Sequence, residues 1–163
     1  MEINIKAPSR EDILSSGIVV VPAINGASWR SIERLGAFAH RSGVYIHHCN
    51  GEILYVGQTT RGGQWGTFGE RNRRHFQLKA SGNSKHHQRL CAQKHPIMVC
   101  MFDLDMVDQM VQTSLPFERE HKALMLEQLF IGMYRPIGNS DRISQKLRRR
   151  GQGDIDGDSI TQL

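Results

Sequence analysis

The sequence predicts a small α+β domain, a three-stranded antiparallel sheet flanked by helices, with N- and C-terminal extensions. Three observations carry this expectation. The 163 residues fit one domain and can bury a core without disulfides or metal. Hydrophobic residues make up 39% and charged residues 23%, an ordinary globular balance. Segment signals also run in the order hairpin, helices, strand, helix, which joins an antiparallel sheet to helices. Residues 1–40 read as an N-terminal extension, 41–140 as the core, and 141–163 as a basic and then flexible tail.

Ser9-Arg-Glu-Asp carries the capping signature of a short helix, and Ser28 to Phe38 reads as a second helix. Residues 43–57 predict a hairpin: Val44-Tyr45-Ile46 and Ile53-Leu54-Tyr55-Val56 are β-rich, and Asn50-Gly51 between them is a strong turn signal. A glycine-rich loop from Gly57 to Gly69 holds Trp65 and Phe68, either of which could stack on bases or cover the core. Residues 69–79 and 84–94 predict helices around the turn Ala80-Ser-Gly-Asn. Pro96 opens a third strand, Ile97 to Phe102. Residues 116–134 predict the longest helix, ended by Pro136.

Charge narrows the partners. The chain carries 21 Lys and Arg against 16 Asp and Glu, a net +5, with a pI near 9.4. Between Arg61 and His95, eight cations face one acid, Glu70, a local +7. Arg142, Lys146 and Arg148 to Arg150 form a second cluster. Such grouping suits a phosphate backbone, although a solvated helix face has the same composition. No apolar run reaches the ~18 residues of a membrane helix. The start, Met-Glu-Ile-Asn, is acidic where a signal peptide would be basic, and three cysteines follow no framework spacing. A soluble, cytoplasmic protein is expected, and the glycine motifs of nucleotide cofactors are absent.

Gly43-Val44-Tyr45 on one strand and Tyr55-Val56-Gly57 on the next are followed by Arg71 and His75 at i, i+4, then by Glu127 and Asn139. In this order they resemble the GIY-YIG nuclease superfamily over residues 43–139, and within it the short type II restriction endonucleases. Gln58 stands where many relatives carry lysine or serine. The resemblance implies a Mg²⁺-dependent endonuclease, with Mn²⁺ able to substitute, that cuts double-stranded DNA to 5′-phosphate and 3′-hydroxyl ends. It makes Tyr45 the general base, Tyr55 a supporting group at the scissile phosphate and Glu127 the metal ligand. Asn139 would orient Glu127 or the loop beside it.

The residue chemistry fits. Tyr45 can act as a base only as phenolate, and His75 titrates near working pH and can relay its proton. Arg71 presents a planar fork matched to two phosphate oxygens. A lone carboxylate such as Glu127 suits Mg²⁺, which keeps water and substrate oxygens around it. Taken singly, each residue also suits a structural post: sheet tyrosines, surface helix residues, a turn asparagine. Their joint order points to a nuclease. Arg61, Trp65, Arg73, Arg74, Lys85, Arg89, Arg148 and Arg149 are the expected DNA contacts. An enzyme cutting both strands of a palindrome most simply acts as a homodimer. A structure-directed repair, phage or mobile-element nuclease, and a non-catalytic basic binding module, are the alternatives. His87, Cys91 and His95 recur every four residues, a zinc-ligand spacing that Cys100 or His86 would complete; Cys91 equally suits a small buried apolar post.

Overall fold

The computed structural model describes residues 1–20, 32–60, 66–76 and 84–140. The elements are β1 (Ile3–Ile5), α1 (Arg10–Leu14), β2 (Ile18–Val20), a 3-10 segment (Ile32–His40), β3 (Gly43–Cys49), β4 (Glu52–Thr59), α2 (Phe68–His75), α3 (Ser84–Cys91), β5 (Ile97–Asp103), α4 (Leu104–Met110), β6 (Val111–Thr113) and α5 (Arg119–Tyr134).

The α+β class holds, but the sheet has four strands where three are expected. Its order is β2-β5-β3-β4, antiparallel throughout, and β1 and β6 form a separate antiparallel ribbon. The fourth strand comes from the N-terminal segment. Ile18, Val19 and Val20 are β-branched and pair with Val99, Met98 and Ile97, covering what would be the open edge of β5. The expected hairpin is present as β3 and β4, turned by Asn50 (φ 48°) and Gly51 (φ 82°), the double positive φ of a tight hairpin turn.

Helix α1 follows its sequence signal, with Ser9 and Asp12 forming a reciprocal capping box. The described part of the expected second helix is 3-10 and is kinked at Gly36, where φ is 54°. The remaining helices begin or end within a few residues of expectation. Helix α3 stops at Cys91 rather than 94, and α5 starts at Arg119 and closes on Arg135 in the left-handed conformation before Pro136. Helix α4 has no counterpart in the sequence reading. It is capped by Asp103, the last residue of β5, which accepts from Met106 N at 2.9 Å.

Apolar side chains fill both faces of the sheet. On one face Tyr45, Tyr55, Val99 and Met101 pack with Leu35, Phe68, Phe76 and Leu90 from the 3-10 segment, α2 and α3. On the other, Val44, Ile46, Val56 and Phe102 pack with Ile13, Val107, Leu126 and Phe130 from α1, α4 and α5. Phe68 is fully buried, so this loop aromatic covers the core and is not a base-stacking group. The segment Arg41-Ser42 joins the layers: Arg41 O accepts from Phe68 N at 2.8 Å and Ser42 O from Leu104 N at 3.0 Å. Both α2 and α4 are thereby set against the start of β3. Among the described residues no helix is long and apolar enough to cross a membrane.

Candidate active site

Hairpin register builds the centre of the site. Tyr45 on β3 lies opposite Gly57 on β4, and His47 lies opposite Tyr55. Alternate residues share a face, so Tyr45, His47 and Tyr55 project together toward α2. Gly57 is required by the approach of the rings: a Cβ there would stand 2.6 Å from Tyr45 Oη and 2.7 Å from Tyr55 Cε1. The second tripeptide therefore ends in glycine because the tyrosine of the first lies across it.

Helix α2 supplies the next layer. Thr67 caps it, accepting from Glu70 N at 3.3 Å, and the i, i+4 spacing brings Arg71 and His75 to one side. His75 is fully buried, and its Nε2 lies 2.6 Å from Tyr45 Oη. The Arg71 guanidinium is held above its ordinary value first by the charge of Tyr45. Burial works the other way, and a hydrogen bond with Tyr45 and the charges of Tyr55 and Glu127 add to the rise. Arg71 thus bonds Tyr45 and feels the charges of Tyr55 and of the α5 carboxylate. Glu127 is 9% exposed, and Gln128 Nε2 donates to its Oε2 at 3.5 Å. Five of the six expected catalytic residues, Tyr45, Tyr55, Arg71, His75 and Glu127, are brought together.

Asn139 binds the backbone of β4. Its Nδ2 donates to Val56 O at 2.7 Å and its Oδ1 accepts from Val56 N at 2.9 Å. Both ends of the amide are committed to β4, so its ordering effect falls on the strand that holds Tyr55 and Gly57. Sequence reasoning missed the interior partners of the tyrosines. His47 Nε2 lies 2.7 Å from Asn72 Oδ1, and His47 Nδ1 lies 3.0 Å from His86 Nε2. Burial pushes the His47 imidazole down to about 4; the Asn72 hydrogen bond opposes this and the charge of His48 adds to it. The signal was available, because His47 follows Tyr45 by two residues and must share its face.

Among the expected DNA contacts, Arg73 and Arg74 are half-buried on α2, Arg89 is half-buried on α3 and Lys85 is exposed. Helices α2 and α3 together hold five cations against Glu70, which pairs with Arg73 at 2.9 Å. Between α4 and α5 two ion pairs form, Arg119 with Asp105 and Lys122 with Asp108, both at 2.6 Å. Arg61, Trp65, Arg148 and Arg149 lie outside the described residues.

The members of the zinc spacing are not gathered into one cluster among the described residues. Helix α3 ends at Cys91, which leaves exposed His95 beyond its last turn. His87 contacts Cys91 Sγ at 3.4 Å and His75 O at 3.3 Å, while Cys100 faces Ser16 Oγ at 3.3 Å. Among the described residues no three His, Cys, Asp or Glu side chains are grouped to hold a metal ion. Comparison with protein-family models, curated proteins and solved structures finds no match for the chain.

Proposed function

We propose that the protein is a Mg²⁺-dependent endonuclease of the GIY-YIG type acting on double-stranded DNA. The observation that carries this reading is the 2.6 Å contact between Tyr45 Oη and His75 Nε2, with Arg71 beside the same phenol. The imidazole can accept the phenol's proton and the guanidinium can offset the charge of the resulting phenolate. Tyr45 passes its proton to His75 and then takes one from water. The hydroxide oxygen attacks phosphorus, the bond to the 3′ oxygen breaks, that oxygen takes up the proton held on His75 by way of water, and the products end in 5′-phosphate and 3′-hydroxyl. Arg71 stabilises the charge that accumulates on the phosphate oxygens. Tyr55, 6.0 Å from Tyr45 by ring centroids, borders the same space.

The donor set fits a hard divalent cation held by one carboxylate. Glu127 is nearly buried yet faces the site closely enough to act on Arg71, and Mg²⁺ keeps most positions for water and phosphate oxygens. Bound there, the ion would offset charge on the phosphate and on the leaving oxygen. Mn²⁺, another oxygen-seeking ion, suits the same ligand.

Within this class we favour a sequence-specific type II restriction enzyme acting as a homodimer, supported by the residue order and by the palindrome argument alone. The basic helices α2 and α3 also suit a module that binds DNA without cutting it. One experiment separates the readings: digestion of unmethylated phage DNA with Mg²⁺, using wild type, Tyr45→Phe and Glu127→Ala. Discrete fragments lost in both variants are expected, a loss of about 10²-fold or more. A smear lost in both would keep the nuclease and point to structure-directed or relaxed cutting. Intact DNA with a salt-sensitive mobility shift would leave only the binding module.

A further inference from the structure

Behind the tyrosines, three polar side chains are almost wholly buried: Asn72 and His47 are inaccessible and His86 is 4% exposed. Their hydrogen bonds have a direction that can be read from one end. Asn72 Nδ2 donates to Phe68 O at 2.9 Å, and a carbonyl can only accept. Asn72 Oδ1 must then face His47 Nε2 at 2.7 Å and accept from it. With its proton on Nε2, neutral His47 offers Nδ1 as an acceptor, so His86 Nε2, at 3.0 Å, is the donor. The two imidazoles lie within 5° of parallel with centroids 5.2 Å apart, as an in-plane hydrogen bond requires.

The surroundings favour the neutral pair. Tyr45 and His48 come from β3, Tyr55 from β4, Arg71 and His75 from α2, and His87 from α3. His47 sits 5.4 Å from Tyr45 and 5.1 Å from His75 by ring centroids, and His86 sits 4.5 Å from Tyr55. A second proton on His47 would place another cation in a low-dielectric interior that already holds Arg71. The far side of His86 is closed by the residue before Asn139: a Cβ on Gly138 would stand 3.2 Å from His86 Nδ1.

We propose that Asn72, His47 and His86 are positioning residues, a directed hydrogen-bond chain that fixes both imidazoles as neutral Nε2–H tautomers and so holds the floor beneath Tyr55 and the Tyr45–His75 pair. The chain ties α2, β3 and α3 together beside the tyrosines. Proton traffic with Tyr45 is left to His75. The role in cleavage rests on the nuclease reading, whereas the tautomers do not.

Two readouts test it. Long-range ¹H–¹⁵N spectra at pH 7 should show one protonated and one bare nitrogen on each of His47 and His86, with the proton on Nε2. In DNA cleavage, His86→Leu should lower kcat about tenfold or more with KM within about twofold, the effect of losing a ligand-orienting hydrogen bond. His86→Gln, whose amide reaches the Nε2 position, should recover kcat to within about threefold of wild type. A packing role alone would make leucine at least as good as glutamine. Equal activities, a glutamine variant as inactive as the leucine one, or an Nδ1–H or doubly protonated His47 would each overturn the proposal. Should His86→Leu fail to fold, His86→Gln still decides, because His47 must keep its Nε2 proton and cleavage must persist. A wild-type protein that does not cut DNA would refute the nuclease reading and the role in cleavage, while the spectra would still pass or fail the tautomer chain.

Discussion

The fold opposes protonation of His47. Its folded value is about 4 against an ordinary 6.5, through burial first. As pH falls below 6.5 the unfolded chain binds this proton before the folded chain does, so stability is full above that value and declines until about pH 4. The loss amounts to a few kcal/mol, on the order of 1.4 kcal/mol for each unit between the two values. Urea unfolding at several pH values between 7 and 4 should therefore show a steep decline in wild type and a shallower one in His47→Gln. At this scale the sequence was legible where a residue's chemistry alone marks it. Tyr45, Arg71 and Glu127 stand out by type, order and spacing. Asn72 and His86 do not, because their role depends on a partner 25 or 39 residues away across β3.

The elements that could be read in advance are those whose signals are local. Asn50-Gly51 fixes the hairpin turn, and the Ser9–Asp12 capping box starts α1. Strands β1, β2 and β6 are three residues each and exist only through partners far along the chain, as Ile18 does opposite Val99. No local periodicity announces them. Strand β4 is the element on which the site depends most, since its inner edge pairs with β3 and its outer edge is met by Asn139 at Val56. Asn139→Leu removes both hydrogen bonds and leaves the amide and carbonyl of Val56 without them. A destabilisation of about 2–4 kcal/mol is expected in chemical denaturation, with faster hydrogen exchange of the Val56 amide. An unchanged Val56 exchange rate would show that the clasp does not order the strand.

For the whole molecule, the first 20 residues reach the core at two points. Ile13 and Val20 are fully inaccessible and lie in opposite layers, one on each face of the sheet. Removing residues 1–20 uncovers both layers and exposes the edge of β5, a loss of about 2–5 kcal/mol at each large buried aliphatic position. The shortened protein should show no cooperative thermal transition, or should come out insoluble, where the full chain unfolds cooperatively. Charge is arranged at this scale too: cations predominate on α2 and α3 beside the tyrosines, while α5 pairs Arg119 and Lys122 with acids of α4.

The Asn139 clasp also has a consequence in time. On a ribosome the β3–β4 hairpin can close once Thr59 has emerged, yet its outer edge must wait for a residue 80 positions later. At synthesis rates of about 5–20 residues per second, the strand bearing Tyr55 and Gly57 stays uncovered for about 4–16 s. Through that interval a nascent chain offers a β-rich edge to its neighbours, the kind of exposure that recruits chaperones or seeds aggregates. Slow translation between codons 60 and 139 would lengthen the hazard, and fast translation there would shorten it.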